Sequence, residues 1–167
     1  LQQLMFQSEW DDVDYLFIDL PPGTGDIQLT LSQKIPVTGA IVVTTPQDIA
    51  LIDARKAVDM FGKVNIPIFG VLENMSVHIC SHCGHHEPIF GQDGGKALAE
   101  RLGVPLLGQL PLSLPVREAM DSGSAAQMQA AHPAIAQIYI EAAWQTALAV
   151  AAKGKDFSNR FPQIVVE

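Results

Sequence analysis

Four short apolar runs constrain the fold of this chain more than any other feature of its sequence. Each run is continuous rather than alternating in hydrophobicity, as expected of strands that are covered on both faces. The segments between them carry helix signals, so the order of elements predicts right-handed βαβ units and an α/β fold, with a mostly parallel sheet and helices on both faces. The runs read DYLFIDL, TGAIVVTT, IPIFGVLEN and VPLLGQL, and they predict strands near residues 14–19, 38–44, 67–73 and 105–110.

Residues that favour helix ends punctuate the segments between the predicted strands. Aspartate is a preferred N-cap because its carboxylate accepts hydrogen bonds from the free N–H groups of the first turn, and glycine is typical of the position after the last turn. The predicted helices run from Asp26 to about Lys34, from Ile49 to about Phe61 after an Asp48 cap, and from Asp93 or Gly94 to Leu102 before Gly103.

The longest apolar stretch begins at Pro133 and reads PAIAQIYIEAAWQTALAVAA. Gln137, Glu141 and Gln145 are four residues apart in it and form a polar stripe, which indicates an amphipathic helix rather than a membrane span. The N-terminal LQQLMFQSEWDD lacks the basic and then apolar layout of a signal peptide. We therefore expect no membrane partner.

Length and charge narrow the function further. The 167 residues fit one domain, and no repeat or linker divides them. We assign residues 1–152 to part of one domain and residues 153–167 to a C-terminal tail. With a net charge of −8 the chain offers no extended basic surface to a phosphate backbone, so we do not expect nucleic acid as a partner.

Asp19 ends the first predicted strand, and a loop rich in proline and glycine follows it in LFIDLPPGTGD. Ligands of parallel sheets bind at the carboxyl edge of the strands. At that edge Asp19 would hold Mg²⁺ through water, and Gly23 and Gly25 would let backbone N–H groups approach a γ-phosphate. The alternative interpretation of the same string is a strand, a turn and an aspartate helix cap.

Cys80 and Cys83 are the two cysteines of the chain, and they form a C-x-x-C pair. The usual occupants of such a pair are zinc, an iron–sulfur cluster or a redox disulfide. An all-cysteine 4Fe–4S cluster needs four thiolates, which a symmetric dimer would supply because each subunit gives the same pair. A zinc site within one chain would need two nearby histidines as well, and so short a loop disfavours it. These histidines are His78, His82, His85 and His86.

Five motifs, taken in order, resemble the Mrp/ApbC family of iron–sulfur cluster carrier proteins, within the MinD/ParA-like branch of deviant P-loop ATPases. They are specific in combination and cover most of residues 10–150. The resemblance implies a P-loop NTPase fold and a homodimer that shares a 4Fe–4S cluster between Cys80 and Cys83 of two subunits, within a loop at residues 75–91. The motifs are DLPPGTGD, TTPQDIAL, LENMS, CSHCGHHEPIFG and LLGQLPL.

The resemblance also assigns roles in nucleotide binding. Asp19 matches the Walker B acid of the family, Asn74 matches a position that hydrogen-bonds adenine, and Pro111 lies where the chain flanks the base. Asparagine at a strand end is also a common turn former, so both interpretations of Asn74 stay open. The switch loop that senses the γ-phosphate matches Gly23, Thr24 and Gly25.

The phosphate-binding loop of the family should precede the strand that ends at Asp19. LQQLMFQSEW contains no G-x-x-x-x-G-K-[ST], and no later stretch supplies one. We therefore expect this chain to be the C-terminal portion of a longer ATPase. By itself it should bind ATP poorly and not hydrolyse it, whereas the full-length protein should be an ATPase.

The resemblance implies an ATP-dependent carrier, with Mg²⁺ as a further ligand, that accepts a cluster from a scaffold protein and passes it to recipient apo-proteins. A C-x-x-C pair without dispersed cysteines indicates a reducing compartment, so we expect the cytoplasm. One alternative is a non-catalytic interaction module that holds structural zinc. The other is a MinD/ParA-like positioning ATPase, which the cysteine pair disfavours.

Overall fold

The computed structural model describes residues 7–20, 35 and 37–153. Within these residues, three strands form a sheet and two short strands form a separate ribbon, with helices between them. In chain order the elements are β1 (Ala40–Thr44), α1 (Asp48–Lys63), β2 (Ile68–Glu73), β3 (His78–Ile79), β4 (His86–Glu87), α2 (Gly94–Leu102), β5 (Leu106–Gln109), α3 (Leu114–Asp121), α4 (Ala125–Ala131) and α5 (Pro133–Ala152).

The three-stranded sheet is parallel and has the order β1-β2-β5. Val43 of β1 lies opposite Leu72 of β2, and Glu73 of β2 lies opposite Gln109 of β5. The predicted strands at 38–44, 67–73 and 105–110 are confirmed to within two residues at each end. The carboxyl ends of all three strands therefore meet at one edge of the sheet.

Helices cover both faces of this sheet, as the continuous apolar runs predicted. On one face, side chains of β1 and β2 pack with α1 and α2 in a core cluster. On the other face α5 crosses β5 so closely that a Cβ added at Gly108 would lie 2.8 Å from the Cβ of Ala142. Glycine at position 108 therefore allows the helix to reach the sheet. The core cluster consists of Val42, Leu51, Ala54, Val71, Leu98 and Ala99.

The predicted strand at 14–19 is wrong for this structure, because residues 7–20 contain neither helix nor strand. Three of its apolar side chains, Tyr15, Leu16 and Phe17, are exposed, Phe17 to 71%. A strand needs a neighbour for its backbone N–H and C=O groups, and within the described ranges no strand pairs with residues 14–19. Leu20, the next residue, packs against the cluster of Met60, Phe61 and Ile66. The helix predicted from Asp26 lies outside the described residues.

The boundaries of α1 and α2 correct one predicted cap and confirm another. Gln47, not Asp48, is the N-cap of α1, and Asp48 lies in the first turn, where its charge favours the positive end of the helix dipole. Asp93 is the N-cap of α2, but its side chain makes no capping hydrogen bond. Gly103 ends α2 in the left-handed conformation, with φ of 64°, as predicted.

The long C-terminal helix is confirmed as α5, and its polar stripe is exposed. Gln137 Nε2 donates a hydrogen bond to Glu141 Oε1 at 3.2 Å along that stripe. Within the part of the chain that the structure describes, no helix has both the length and the apolar character needed to cross a membrane.

Candidate functional site

The cysteine pair lies in a turn between two short antiparallel strands, β3 and β4. The N–H of Cys80 donates to the carbonyl of His85 at 3.0 Å, and the N–H of Gly84 donates to the carbonyl of Cys80 at 2.9 Å. Gly84 has φ of 70°, a conformation that glycine adopts without steric cost. The turn therefore holds both cysteines at the tip of a hydrogen-bonded ribbon.

The sulfur of Cys80 lies in a site that favours the thiolate. The backbone N–H of Cys83 is the largest cause of a lowered Cys80 pKa, followed by the N–H of His82 and the Cys83 side chain. Desolvation and the Glu87 charge oppose this shift without cancelling it. Both cysteines are free thiols, Cys83 exposed and Cys80 partly so. Because the thiolate is the form that binds metal, the turn is suited to a metal centre.

The histidines of the loop do not join the cysteines in a metal site. His82, His85 and His86 are exposed, whereas the Nδ1 of His78 is buried without a hydrogen-bond partner. Across the described ranges, no three His, Cys, Asp or Glu side chains are grouped so that they could hold one ion. One chain therefore presents two sulfur ligands, half of what a four-thiolate cluster requires.

Residues 76–79, which lead into the cysteine turn, are hydrogen-bonded to residues 110–112, which follow β5. Ser76 N–H donates to the carbonyl of Leu110 at 3.0 Å, and Ile79 N–H donates to that of Leu112 at 3.0 Å. Leu112 N–H in turn donates to the carbonyl of Val77 at 2.8 Å. The cysteine ribbon is thus an extension of the carboxyl edge of the sheet.

The two residues predicted to contact adenine lie at neighbouring strand ends of this edge. Asn74 follows β2 directly, and its N–H donates to the carbonyl of Thr44 at 2.7 Å. Its side-chain Oδ1 accepts a hydrogen bond from Met75 N–H at 2.9 Å. Pro111 is buried just after Leu110, whose N–H donates to the carbonyl of Glu73 at 2.7 Å. Asn74 and Pro111 thus follow adjacent strands at one edge of the sheet, and their contacts with adenine stay predictions.

Asp19 is not placed at this edge by a strand. The residue is exposed and follows a segment without regular secondary structure, which corrects the predicted position at the carboxyl end of a strand. The physical reason is that, among the residues the structure describes, no strand pairs with residues 14–19. Gly23, Thr24 and Gly25 lie outside the described residues, so their predicted phosphate contacts stay predictions.

Glu73 is a residue of this edge that the sequence interpretation missed. Its side chain is fully buried, with 0% exposure. Oε2 accepts a hydrogen bond from the N–H of Gly95 at 2.5 Å, and Oε1 accepts one from Gln109 Nε2 at 2.8 Å. The signal was present in the sequence, because an acid at the end of an apolar run that is buried on both faces must find donors.

A parallel sheet with helices on both faces and site residues at its carboxyl edge is the architecture of nucleotide-binding α/β proteins. The structure has the α/β fold of P-loop NTPases. A nucleotide-binding protein from Archaeoglobus fulgidus, solved in complex with ADP, superposes with a TM-score of 0.66 at 32% identity, over 74% of this chain and 51% of that chain. The family model of ParA-type proteins described as NUBPL iron-transfer P-loop NTPase matches residues 1–147, and the chain belongs to this family.

Several curated proteins are similar to the chain in sequence over most of its length. It is 58% identical over 143 residues to the iron–sulfur cluster carrier protein of Pseudomonas fragi, covering 86% of this chain and 50% of the relative. It is 63% identical over 124 residues to the iron–sulfur cluster carrier protein of Escherichia coli K12, covering 74% of this chain and 34% of the relative. The iron–sulfur cluster transfer protein NUBPL of Mus musculus is 52% identical over 123 residues, covering 74% of this chain and 39% of the relative. The chain thus spans between about a third and a half of these relatives.

Proposed function

We propose that this protein carries an iron–sulfur cluster on the Cys80 and Cys83 thiolates. The observation that supports this most directly is the turn in which backbone N–H groups of Cys83 and, to a smaller extent, His82 lower the pKa of Cys80. Such donors stabilise negative charge on a sulfur that binds iron, and hydrogen bonds of this kind also tune iron–sulfur centres. The names of the relatives, carrier and transfer proteins, favour a cluster as cargo over a resident cofactor.

The proposed cargo is a 4Fe–4S cluster held between two subunits. One chain supplies two sulfurs, and a twofold axis beside the turn brings the same two from a second copy. The exposed position of Cys83 at the tip of the ribbon leaves it free to approach a partner. Release to an apo-protein then consists of exchanging these thiolates for those of the recipient at iron, without net oxidation or reduction.

Nucleotide binding at the carboxyl edge would control this exchange. Asn74 follows β2 and Pro111 follows the neighbouring β5, and the cysteine ribbon extends from the same two strand ends. Mg²⁺ is commonly held by one or two carboxylates together with substrate phosphates, and the exposed Asp19 carboxylate is a donor of that type. Bound there, the ion would neutralise phosphate charge during ATP hydrolysis. In the intact protein we expect Asp19→Ala to abolish hydrolysis.

Anaerobic reconstitution of the intact protein with iron and sulfide tests the proposal. We expect about four irons per dimer and a visible absorption band. Cys80→Ser and Cys83→Ser should each abolish that band while the far-ultraviolet circular dichroism stays unchanged, since both cysteines lie outside the core. Ser81→Ala, in the same turn, is the matched control and should bind iron as the parent does.

Zinc is the occupant that would contradict the proposal. A structural zinc module should be purified with one zinc per chain, should lack a visible band and should refuse iron and sulfide under anaerobic conditions. Metal analysis of the protein as purified, followed by reconstitution, separates the two outcomes. Transfer is then followed as activity gained by an apo-enzyme that needs a 4Fe–4S cluster, with and without ATP.

A further inference from the structure

Glu73 is a buried acid at the base of the cysteine-bearing segment, residues 74–94. It stands immediately before this segment, and its carboxylate accepts a hydrogen bond from Gly95, the residue immediately after it. A single side chain therefore joins the two ends of the segment that carries both cysteines.

The second half of the segment depends on this contact more than the first half does. Residues 76–79 are hydrogen-bonded to Leu110 and Leu112 after β5. The return stretch from β4 to α2 makes its tertiary polar contacts near its end, through Gly95 to Glu73 and through Asp93 Oδ1, which accepts from Gln109 Nε2 at 3.3 Å. Glu73 and Gln109 together thus hold this end of the segment against the sheet.

The glycines at the start of α2 permit the contact. A Cβ added at Gly95 would lie 2.8 Å from the Cβ of Glu73, and one added at Gly94 would lie 2.5 Å from the carbonyl oxygen of Pro46. Both distances are shorter than real Cβ contacts allow, so glycine is required for the helix start to come this close. The positive end of the α2 dipole also favours the negative charge of Glu73.

We infer that Glu73 is a positioning residue, whose carboxylate fixes the base of the cysteine segment and links it to the strand ends that carry Asn74 and Pro111. Glu73 precedes Asn74 directly, and its partner Gln109 lies two residues before Pro111. Displacement of either strand end by a ligand would move the carboxylate and its bond to Gly95 together. The consequence for the cluster rests on the proposed function, whereas the closure of the segment does not.

Glu73→Gln in the intact protein without cluster tests the closure. Both partners of the carboxylate are donors, and an amide offers one acceptor oxygen and one donor nitrogen, so one partner loses its acceptor. Amide hydrogen exchange at Cys80 and Gly84 should become about tenfold faster, the effect of losing one hydrogen bond to a charged group. Exchange within α1 should stay at the parental rate. Equal acceleration in α1, or none at Cys80 and Gly84, would overturn the inference.

A reciprocal exchange of the two side chains supplies the rescue. In Glu73→Gln/Gln109→Glu, the amide at 73 donates to the carboxylate at 109 and its oxygen still accepts from Gly95, whereas Asp93 loses the donor that Gln109 gave it. Slow exchange at Cys80 and Gly84 should therefore return in part. If the faster exchange in Glu73→Gln came only from loss of the buried charge at residue 73, the second substitution would not slow it. Glu100→Gln, which removes an exposed acid from α2, is the control and should change neither rate. Should Glu73→Gln fail to fold, the milder Gln109→Ala should accelerate the same amides.

The cluster readout distinguishes this inference from the proposed function. In reconstituted protein, Glu73→Gln should lose its visible band to an iron chelator several-fold faster than the parent, and the double variant should slow that loss. If the parent holds no cluster, the proposed function fails and the exchange rates alone decide the role of Glu73. If the parent holds a cluster and Glu73→Gln releases it at the parental rate, Glu73 does not position the cysteine-bearing segment.

Discussion

The backbone N–H of Cys83 donates a hydrogen bond to the sulfur of Cys80, and this contact is the largest cause of the lowered Cys80 pKa. The donor belongs to the second cysteine of the pair, so one turn both brings the sulfurs together and prepares one of them for ionisation. The pair therefore owes its chemistry to backbone geometry as well as to sequence spacing.

We expect alkylation of Cys80 by iodoacetamide to reach half its maximal rate at a lower pH in the folded protein than in urea. The rate follows the thiolate fraction, and the folded pKa lies below the ordinary value of 9.0. The same shift makes ionisation of Cys80 stabilise the folded state above about pH 9, and this contribution disappears as the pH falls through the folded pKa. Peptide mass spectrometry distinguishes Cys80 from Cys83.

Cys83→Ser is the control for the cause of this shift. It removes the sulfur of residue 83 but keeps the backbone N–H, so most of the shift at Cys80 should persist. A return of Cys80 to the behaviour of the urea-unfolded chain would show that the side chain of Cys83, rather than the turn, lowers the pKa.

The four histidines near the cysteines should each be dispensable for iron binding. Three of them are exposed, and within the described residues none joins the cysteines in a group that could hold an ion. Single replacements of His82, His85 and His86 by Ala should leave the iron content of reconstituted protein close to that of the parent, whereas either cysteine replacement should abolish it. Loss of iron in a histidine variant would assign that side chain to the centre. His78→Ala belongs in the same series, with folding checked because His78 pairs with Leu112.

Local pattern was sufficient to predict most of the sheet. Each of the runs that became β1, β2 and β5 has a neighbouring strand to pair with. The run at 14–19 has the same composition, yet it forms no strand, because strand formation depends on a pairing partner that apolar character alone does not provide. Hydrophobic pattern therefore predicted which segments could become strands and not which of them would be paired.

The site was predictable where spacing alone determines geometry. A C-x-x-C pair places two sulfurs in one turn, whereas Asn74 and Pro111, which follow adjacent strands, were assigned from the family resemblance. The junction of Glu73 with Gly95 and Gln109 was not predicted, because its partners are 22 and 36 residues away in sequence. Such contacts depend on strand order and on the position of α2, which no local pattern contains.

Two glycine substitutions should change stability in opposite directions. A Cβ added at Gly62, near the end of α1, meets no tertiary neighbour within 4 Å, so Gly62→Ala should raise the free energy of unfolding by about 0.5–1 kcal/mol. A Cβ at Gly108 would lie 2.8 Å from that of Ala142, so Gly108→Ala should lower it by about 1–3 kcal/mol. Urea unfolding of each variant measures both values. If Gly108→Ala is neutral, α5 does not pack on β5 as closely as the structure has it.

Asn74→Asp separates the two roles open to Asn74. The Oδ1 atom accepts a hydrogen bond from Met75 N–H, and Met75 has φ of 54°, so the side chain helps to form a tight turn. Aspartate keeps that acceptor and removes the amide donor that would face adenine. In the intact protein we expect an unchanged midpoint of thermal unfolding and affinity for an adenine nucleotide weaker by about five- to tenfold, the effect of one lost hydrogen bond. Equilibrium binding of a fluorescent ADP analogue measures the change.

Two further variants complete the test of Asn74. Asn74→Ala removes both the acceptor and the donor, so it should lower the unfolding midpoint as well as the nucleotide affinity. Gln137→Ala, on the exposed stripe of α5, is the control for removal of an amide and should change neither. If Asn74→Asp binds the ADP analogue as tightly as the parent while Asn74→Ala is destabilised, Asn74 is a turn former, and adenine is recognised by other residues of the carboxyl edge.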